Sequence, residues 1–163
     1  MKNRDKEENT RAGKVTSGVF PVFDIEFKVG INGLTSEEAD LKTVKDMESF
    51  SIAIDGSVQN WNPMDMKGWS RALMTGKKLT ISLKGKRNVG DEGNDYVAGV
   101  TFKDGLDCST KFSVDFPDGS KLSGNCVLDV KSALGGESQD VSPLEFDIIC
   151  DGKPTYTEAQ KVG

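Results

Sequence analysis

The sequence predicts a mainly β fold, an antiparallel β-sandwich or barrel with one flanking α-helix, and three observations predict it. Runs of strict apolar–polar alternation recur along the chain. Successive side chains of a strand point to opposite faces, so each run has one core face and one wet face. A Pro117-Asp118-Gly119-Ser120 turn joins two of these runs; Pro presets φ and Gly accepts the positive φ that closes a hairpin. The length, 163 residues with 36% hydrophobic side chains and 18 Gly, suits one domain able to build a core.

Residues 1–14 read as a charged N-terminal arm. Lys2, Arg4, Lys6, Arg11 and Lys14 face Asp5, Glu7 and Glu8 with almost no apolar content, which is too polar for a secretion signal. Residues 15–163 form one β-sandwich domain. Its strands alternate through Phe23, Ile25, Phe27 and Val29; Phe50, Ile52 and Ile54; Leu79, Ile81 and Leu83; Phe112, Val114 and Phe116; Leu122, Cys126, Leu128 and Val130; and Leu144, Phe146, Ile148 and Cys150. Polar intervening positions mark antiparallel sheets packed on one side. The Pro-Asp-Gly-Ser turn pairs about 110–116 with 121–130.

A helix is expected over about 63–75. Asn62 caps it, Pro63 suits the first position, and Gly76 stops it. Trp69, Ala72 and Leu73 recur at i, i+3 and i+4, one apolar stripe that must pack on a sheet. A shorter helix or turn begins at Thr35, with Glu38 completing a capping box. Residues 86–95 and 132–142 read as long loops rich in Gly and polar residues, the kind of segment that carries interactions.

Composition excludes several functions. His is absent, which removes Ser-His-Asp and Cys-His catalysis and the commonest transition-metal ligand. The balance of 21 Lys+Arg against 26 Asp+Glu, net −5, argues against a protein that grips duplex DNA by neutralising phosphates. No run approaches the roughly 18 apolar residues that cross a bilayer as a helix. Cys108, Cys126 and Cys150 contain no C-x-x-C pair; small buried hydrophobes in a reducing compartment are the simpler reading, with one disulfide plus a leftover thiol as the other.

Local constellations add little chemistry. Asp91, Glu92 and Asp95 do not meet the EF-hand spacing, so they read as a solvated acidic loop. Gly76-Lys77-Lys78 lacks the Ser or Thr of a P-loop. Lys77, Lys78, Lys84, Lys86 and Arg87 form a basic cluster without interleaved aromatics, which suits a solvated face, or one meeting an acidic loop of another subunit, better than a nucleic-acid platform. No nucleophile–base pair, cofactor motif or metal set can be named, so a non-enzymatic role is expected.

The stretch Phe50–Gly99 resembles the major tail protein, or tail tube protein, of long-tailed bacteriophages. The resemblance rests on Ile54-Asp55-Gly56 at a strand end, Trp61-x-Pro63-x-Asp65, Gly68-Trp69-x-Arg71, Thr75-Gly76-Lys77, a lysine-bearing strand, and the Gly90–Tyr96 segment. The turn at Phe116–Gly119 and the strand near Leu144-Glu145-Phe146 also fit. It implies a virion protein with no cofactor, whose β-sandwich subunits close into rings, commonly of six, and stack into a hollow tube. The tube is a conduit for DNA ejection, without specific DNA binding or a membrane. The implied partners are further copies, a tape-measure protein, a tail terminator and a baseplate or tail tip. Expected assembly residues are Arg4, Lys6 and Arg11 on the arm and Lys86, Arg87, Asp91, Glu92, Asn94 and Asp95 on the loop. The inner tube of a contractile tail, a tail-like bacteriocin or secretion system, and a β-sandwich binding or adhesion module are the alternatives.

Overall fold

A computed structural model describes residues 17–159. The 1–14 arm, with Arg4, Lys6 and Arg11, lies outside the described residues. Eight strands follow one another: β1 (Glu26–Gly30), β2 (Leu41–Thr43), β3 (Met47–Trp61), β4 (Arg71–Lys86), β5 (Ser109–Asp115), β6 (Lys121–Ser132), β7 (Pro143–Cys150) and β8 (Thr155–Thr157). One α-helix, α1, spans Glu92–Gly99. The strands form a single sheet in the order β2-β1-β5-β6-β7-β4-β3, with β8 on β6. Every pairing is antiparallel.

The sheet curls without closing, and it brings β1 near β3. Phe27 on β1 and Phe50 on β3 stack edge to face with ring centroids 4.6 Å apart. The rolled interior takes the apolar phase of each alternating run: Phe27 and Val29, Leu79, Ile81 and Leu83, Phe112 and Val114, Cys126 and Leu128, and Leu144, Phe146 and Ile148 are all buried. Val97 and Val100 join them from α1 and the residue after it. The mainly β architecture with a flanking helix is therefore as read from the alternation. The β5–β6 hairpin also forms around the expected turn: Phe116 N donates to Ser120 O, and Gly119 N to Phe116 O, both at 3.0 Å. Gly119 has φ 94°, the left-handed conformation that favours glycine.

Three expectations need correction. The helix over 63–75 does not exist. Met64–Met66 is a single 3-10 turn, and Arg71 opens a 16-residue strand. Lys67 and Gly68 have φ of 50° and 90°, two consecutive left-handed residues that reverse the chain instead of continuing a helix. Trp69, Ala72 and Leu73 consequently make no helical stripe and no core; all three are exposed. Second, residues 86–95 are not one long loop. Lys86 ends β4, and α1 begins at Glu92. Third, Phe23 is not in a strand; Val22–Asp24 is a 3-10 turn, and Phe23 is exposed. Near Thr35 two 3-10 turns form, Gly33–Thr35 and Glu38–Asp40, with Glu37 N donating to Asp40 Oδ2 at 3.0 Å. Residues 133–142 link β6 to β7 without a regular element.

Candidate assembly surface

The β3–β4 hairpin defines the most unusual surface of the protein. β4 pairs with β7 only over Thr80–Lys86, whereas its pairing with β3 runs from Arg71 to Gly85. Beyond Thr80 the hairpin is a two-stranded arm standing clear of the rest of the sheet. Two isolated strands are marginally stable in water, so such an arm calls for a neighbour.

Register explains which side chains the arm presents. Ile52 faces Ile81 and Ile54 faces Leu79, so the core face of the body runs directly into the arm. Between Ser57 and Val58 the register shifts: Ser57 pairs with Gly76, but Val58 pairs with Met74. Thr75 is thus an extra residue on β4, a bulge that reverses the strand's phase beyond it. The shift puts Met74 beside Val58 on the continuation of the core face. Gly56 makes room for it, since a Cβ there would lie 2.9 Å from Met74 Sδ and Cε. Thr75 Oγ1 donates to Ser57 O at 3.1 Å and pins the bulge. The opposite face carries Leu73 and, at the end of the strands, Trp61 with the Arg71 guanidinium 5.4 Å from its ring centroid.

Apolar side chains on both arm faces and in the connecting turn are therefore uncovered. Ile54 is 67% exposed, Trp69 77% and Met64 99%, and Val58, Trp61, Met66, Leu73 and Met74 are also exposed. Exposed apolar side chains clustered beside charge are a common feature of interaction surfaces; here Asp55, Lys77 and Lys78 supply the charge. β3 also ends the strand order, so its outer edge offers unpaired backbone groups, which a protein normally blunts or covers.

The loop residues expected to mediate contacts are engaged within the chain. They form a brace between α1, the end of β4 and the chain entering β3. Arg87 Nη1 donates to Asp95 Oδ1 at 2.7 Å, to Asn94 Oδ1 at 2.9 Å and to Asn88 O at 2.9 Å. Asn94 is fully buried; its Nδ2 donates to Lys45 O and Lys86 O, both at 3.0 Å, and its Oδ1 also accepts from Asn88 N at 3.0 Å. Asp91 caps the helix by accepting from Asn94 N, and accepts from Lys45 N, each at 3.1 Å. The Arg87 hydrogen bond holds the Asp95 carboxyl below the ordinary carboxylate range. Lys86 Nζ lies 3.7 Å from Glu48, and Glu92 lies 3.6 Å from Lys42 Nζ, both near the surface. Arg87, Asp91, Asn94 and Asp95 are thus drawn together with one another, while Lys86 and Glu92 lie at the margin of the brace.

Among the described residues, two clefts are open grooves of about 380 and 310 Å³, one beside Lys111 and Lys121 and one beside Phe102 and Leu134. Among the described residues, no three Cys, Asp or Glu side chains group to hold a metal ion. No helix among them is long and apolar enough to cross a membrane.

The chain matches no family model and no curated protein. Solved structures do match. A chain in the tail of an empty gene transfer agent particle, refined helically with C6 symmetry, superposes with TM-score 0.67 at 16% identity, covering 86% of this chain and 100% of that one. A chain in the virion of the native gene transfer agent particle gives 0.64 at 16% identity over the same shares. The anti-feeding prophage cap, a tube-terminating cap, gives 0.55 at 11% identity over 89% of this chain and 95% of that one. At these identities the likeness is one of fold. The chain therefore shares its fold with chains of those tail and tube-cap particles, as the resemblance drawn from Phe50–Gly99 implies.

Proposed function

We propose that this protein is a structural subunit of a phage-like tail, self-assembling into rings that stack as a hollow tube. The observation that carries the reading is the β3–β4 arm, which extends the core's apolar face past the end of β7 into solvent. A single copy leaves that face uncovered. A second copy docking there would bury it, and closed symmetry would let every copy give and receive one contact. The fold likeness to a C6 tail supports rings of six. Strand edges left open at β2 and β3 would then be covered by neighbours.

The tube would serve as the conduit for DNA ejection, with a tape-measure protein, a terminator and a tail tip as further partners. A net charge of −5 suits a bore through which a polyanion slides, because repulsion replaces phosphate contacts. The charged residues 1–14 would add contacts between rings. The anti-feeding prophage match favours a second form of the same role, a tube or cap component in a tail-like injection particle.

Electron microscopy of the purified protein over a range of concentrations tests the reading. Rings or tubes are expected to grow with concentration. A protein that stays monomeric at the highest soluble concentration, and a variant lacking the arm that behaves identically, would overturn it.

A further inference from the structure

Cys126 on β6 lies directly opposite Cys150 on β7. The next pair in that register is Asn125 with Asp151, and Asp151 N donates to Asn125 O at 2.8 Å. Opposed residues joined by such a bond are a hydrogen-bonded pair, and the two pair types alternate along an antiparallel ladder. Cys126 and Cys150 are therefore a non-hydrogen-bonded pair, in which side chains approach most closely. Their Cα atoms are expected about 4.5 Å apart, inside the span of roughly 4.4–6.8 Å that a disulfide bridges.

Side-chain surroundings favour the same bridge. Cys126 is fully buried and Cys150 half-buried, and opposed residues of a ladder share a face. Cys150 Sγ donates to Gly152 O at 3.3 Å. It sits beside Gly124, where an added Cβ would be only 3.7 Å away. The missing side chain at 124 leaves Cys150 room to turn about Cα–Cβ, the rotation that a bridge to Cys126 requires. Cys108 is in a different setting: it lies in the 3-10 turn before β5, and its Sγ donates to Lys103 O at 3.1 Å.

We propose that Cys126 and Cys150 form a cross-strand disulfide when the protein meets a small-molecule disulfide such as glutathione disulfide, while Cys108 remains a thiol. The half-exposed Cys150 reacts first. Its thiolate attacks one glutathione sulfur, the S–S bond breaks, and one glutathione leaves and is protonated. The Cys126 thiolate then attacks Cys150 Sγ and releases the second glutathione. Two protein thiols lose two electrons and two protons, and one glutathione disulfide becomes two glutathiones. Burial raises both cysteine pKa values, that of Cys126 to about 12. Thiolate is therefore scarce near neutrality, and the bridge forms slowly there and faster in alkali. The bond would staple β6 to β7 across the irregular 133–142 connection. This inference stands apart from the assembly reading, since both cysteines belong to one chain.

The test incubates reduced full-length protein with glutathione disulfide at alkaline pH, then counts thiols and measures intact mass under denaturing conditions. The three thiols should fall to one, with a mass loss of about 2 Da and no retained glutathione. Tryptic peptides 122–131 and 132–161 should be joined, since Lys153 precedes Pro154 and is not cleaved, and the melting midpoint should rise. Cys150→Ser should keep two thiols without an internal bridge, and Cys126→Ala should stop at a glutathione adduct on Cys150. If Cys126→Ala does not fold, Cys150→Ser carries the control. Three thiols surviving prolonged exposure, a lasting glutathione adduct on the unaltered protein, or a bridge to Cys108 would each overturn the proposal.

Discussion

Replacing Trp69 by Ala separates the two roles that an aromatic residue at this position can have. Were Trp69 a core residue, truncation would cost about 3–5 kcal/mol of folding stability. The structure leaves Trp69 77% exposed. Of the roughly 200 Å² a Trp can bury, only about 50 Å² is then covered within one chain, worth about 1 kcal/mol at roughly 25 cal/mol per Å². The remaining area, roughly 150 Å², would contribute up to about 4 kcal/mol per contact if a second copy covered it. Urea melts of dispersed protein should therefore show a loss of about 1 kcal/mol or less. Sedimentation and electron microscopy should show assembly shifted to at least tenfold higher concentration, about 1.4 kcal/mol. A folding loss of 3 kcal/mol or more, or assembly at the unaltered concentration, would refute the reasoning.

Other expectations follow from the brace, the core and the arm. Asn94→Ala leaves the Lys45 and Lys86 carbonyls and the Asn88 N–H short of their buried partner, so urea melts should show a loss of about 3 kcal/mol. Gly93→Ala should destabilise α1 against β2, because its Cβ would come within 2.4 Å of Thr43 O; a melting midpoint equal to that of the parent would contradict that packing. Asp95 has a depressed pKa, so it contributes stability above the ordinary carboxylate value that is lost as pH falls below it. Asp95→Asn should accordingly flatten the acid limb of a stability–pH curve. The Cys126 thiol runs the other way: its pKa rises from 9.0 to about 12, so the unfolded chain loses its proton first. Stability should fall between about pH 9 and 12 by an amount on the order of 4 kcal/mol, and Cys126→Ala should remove that component.

The body of the fold was legible because its strands have one dry face. Leu79, Ile81 and Leu83, or Leu144, Phe146 and Ile148, alternate without interruption because water lies on their other side. The arm imitates a helix for the opposite reason. Ala72 and Met74 occupy one face and Leu73 the other, with the Thr75 bulge breaking the period. Apolar residues on both faces of a bulged strand imitate a helical stripe over one or two turns. A usable signal was present in Lys67-Gly68, a pair suited to a left-handed turn midway through the expected helix. The true helix was hidden by its glycines. Gly93 is there because the helix backbone presses on Thr43, a tertiary demand invisible in a single sequence. Its start was nevertheless marked by Asp91 as a cap, with Glu92 and Asp95 in the acidic first turn. The loop residues expected to mediate assembly are mostly charged, and Arg87, Asp91 and Asp95 also make bonds within the folded chain. The exposed arm residues Trp69 and Leu73 read as core because their spacing imitates a helical stripe.

Amide hydrogen exchange along residues 53–79 tests the central claim most directly, measured on the dispersed chain and again on assembled material. The account predicts fast exchange in the dispersed chain, where the arm is two unsupported strands, and strong protection once copies associate. Equal exchange in the two states, with protection gained elsewhere on the surface, would contradict the arm as the element that a neighbouring copy completes.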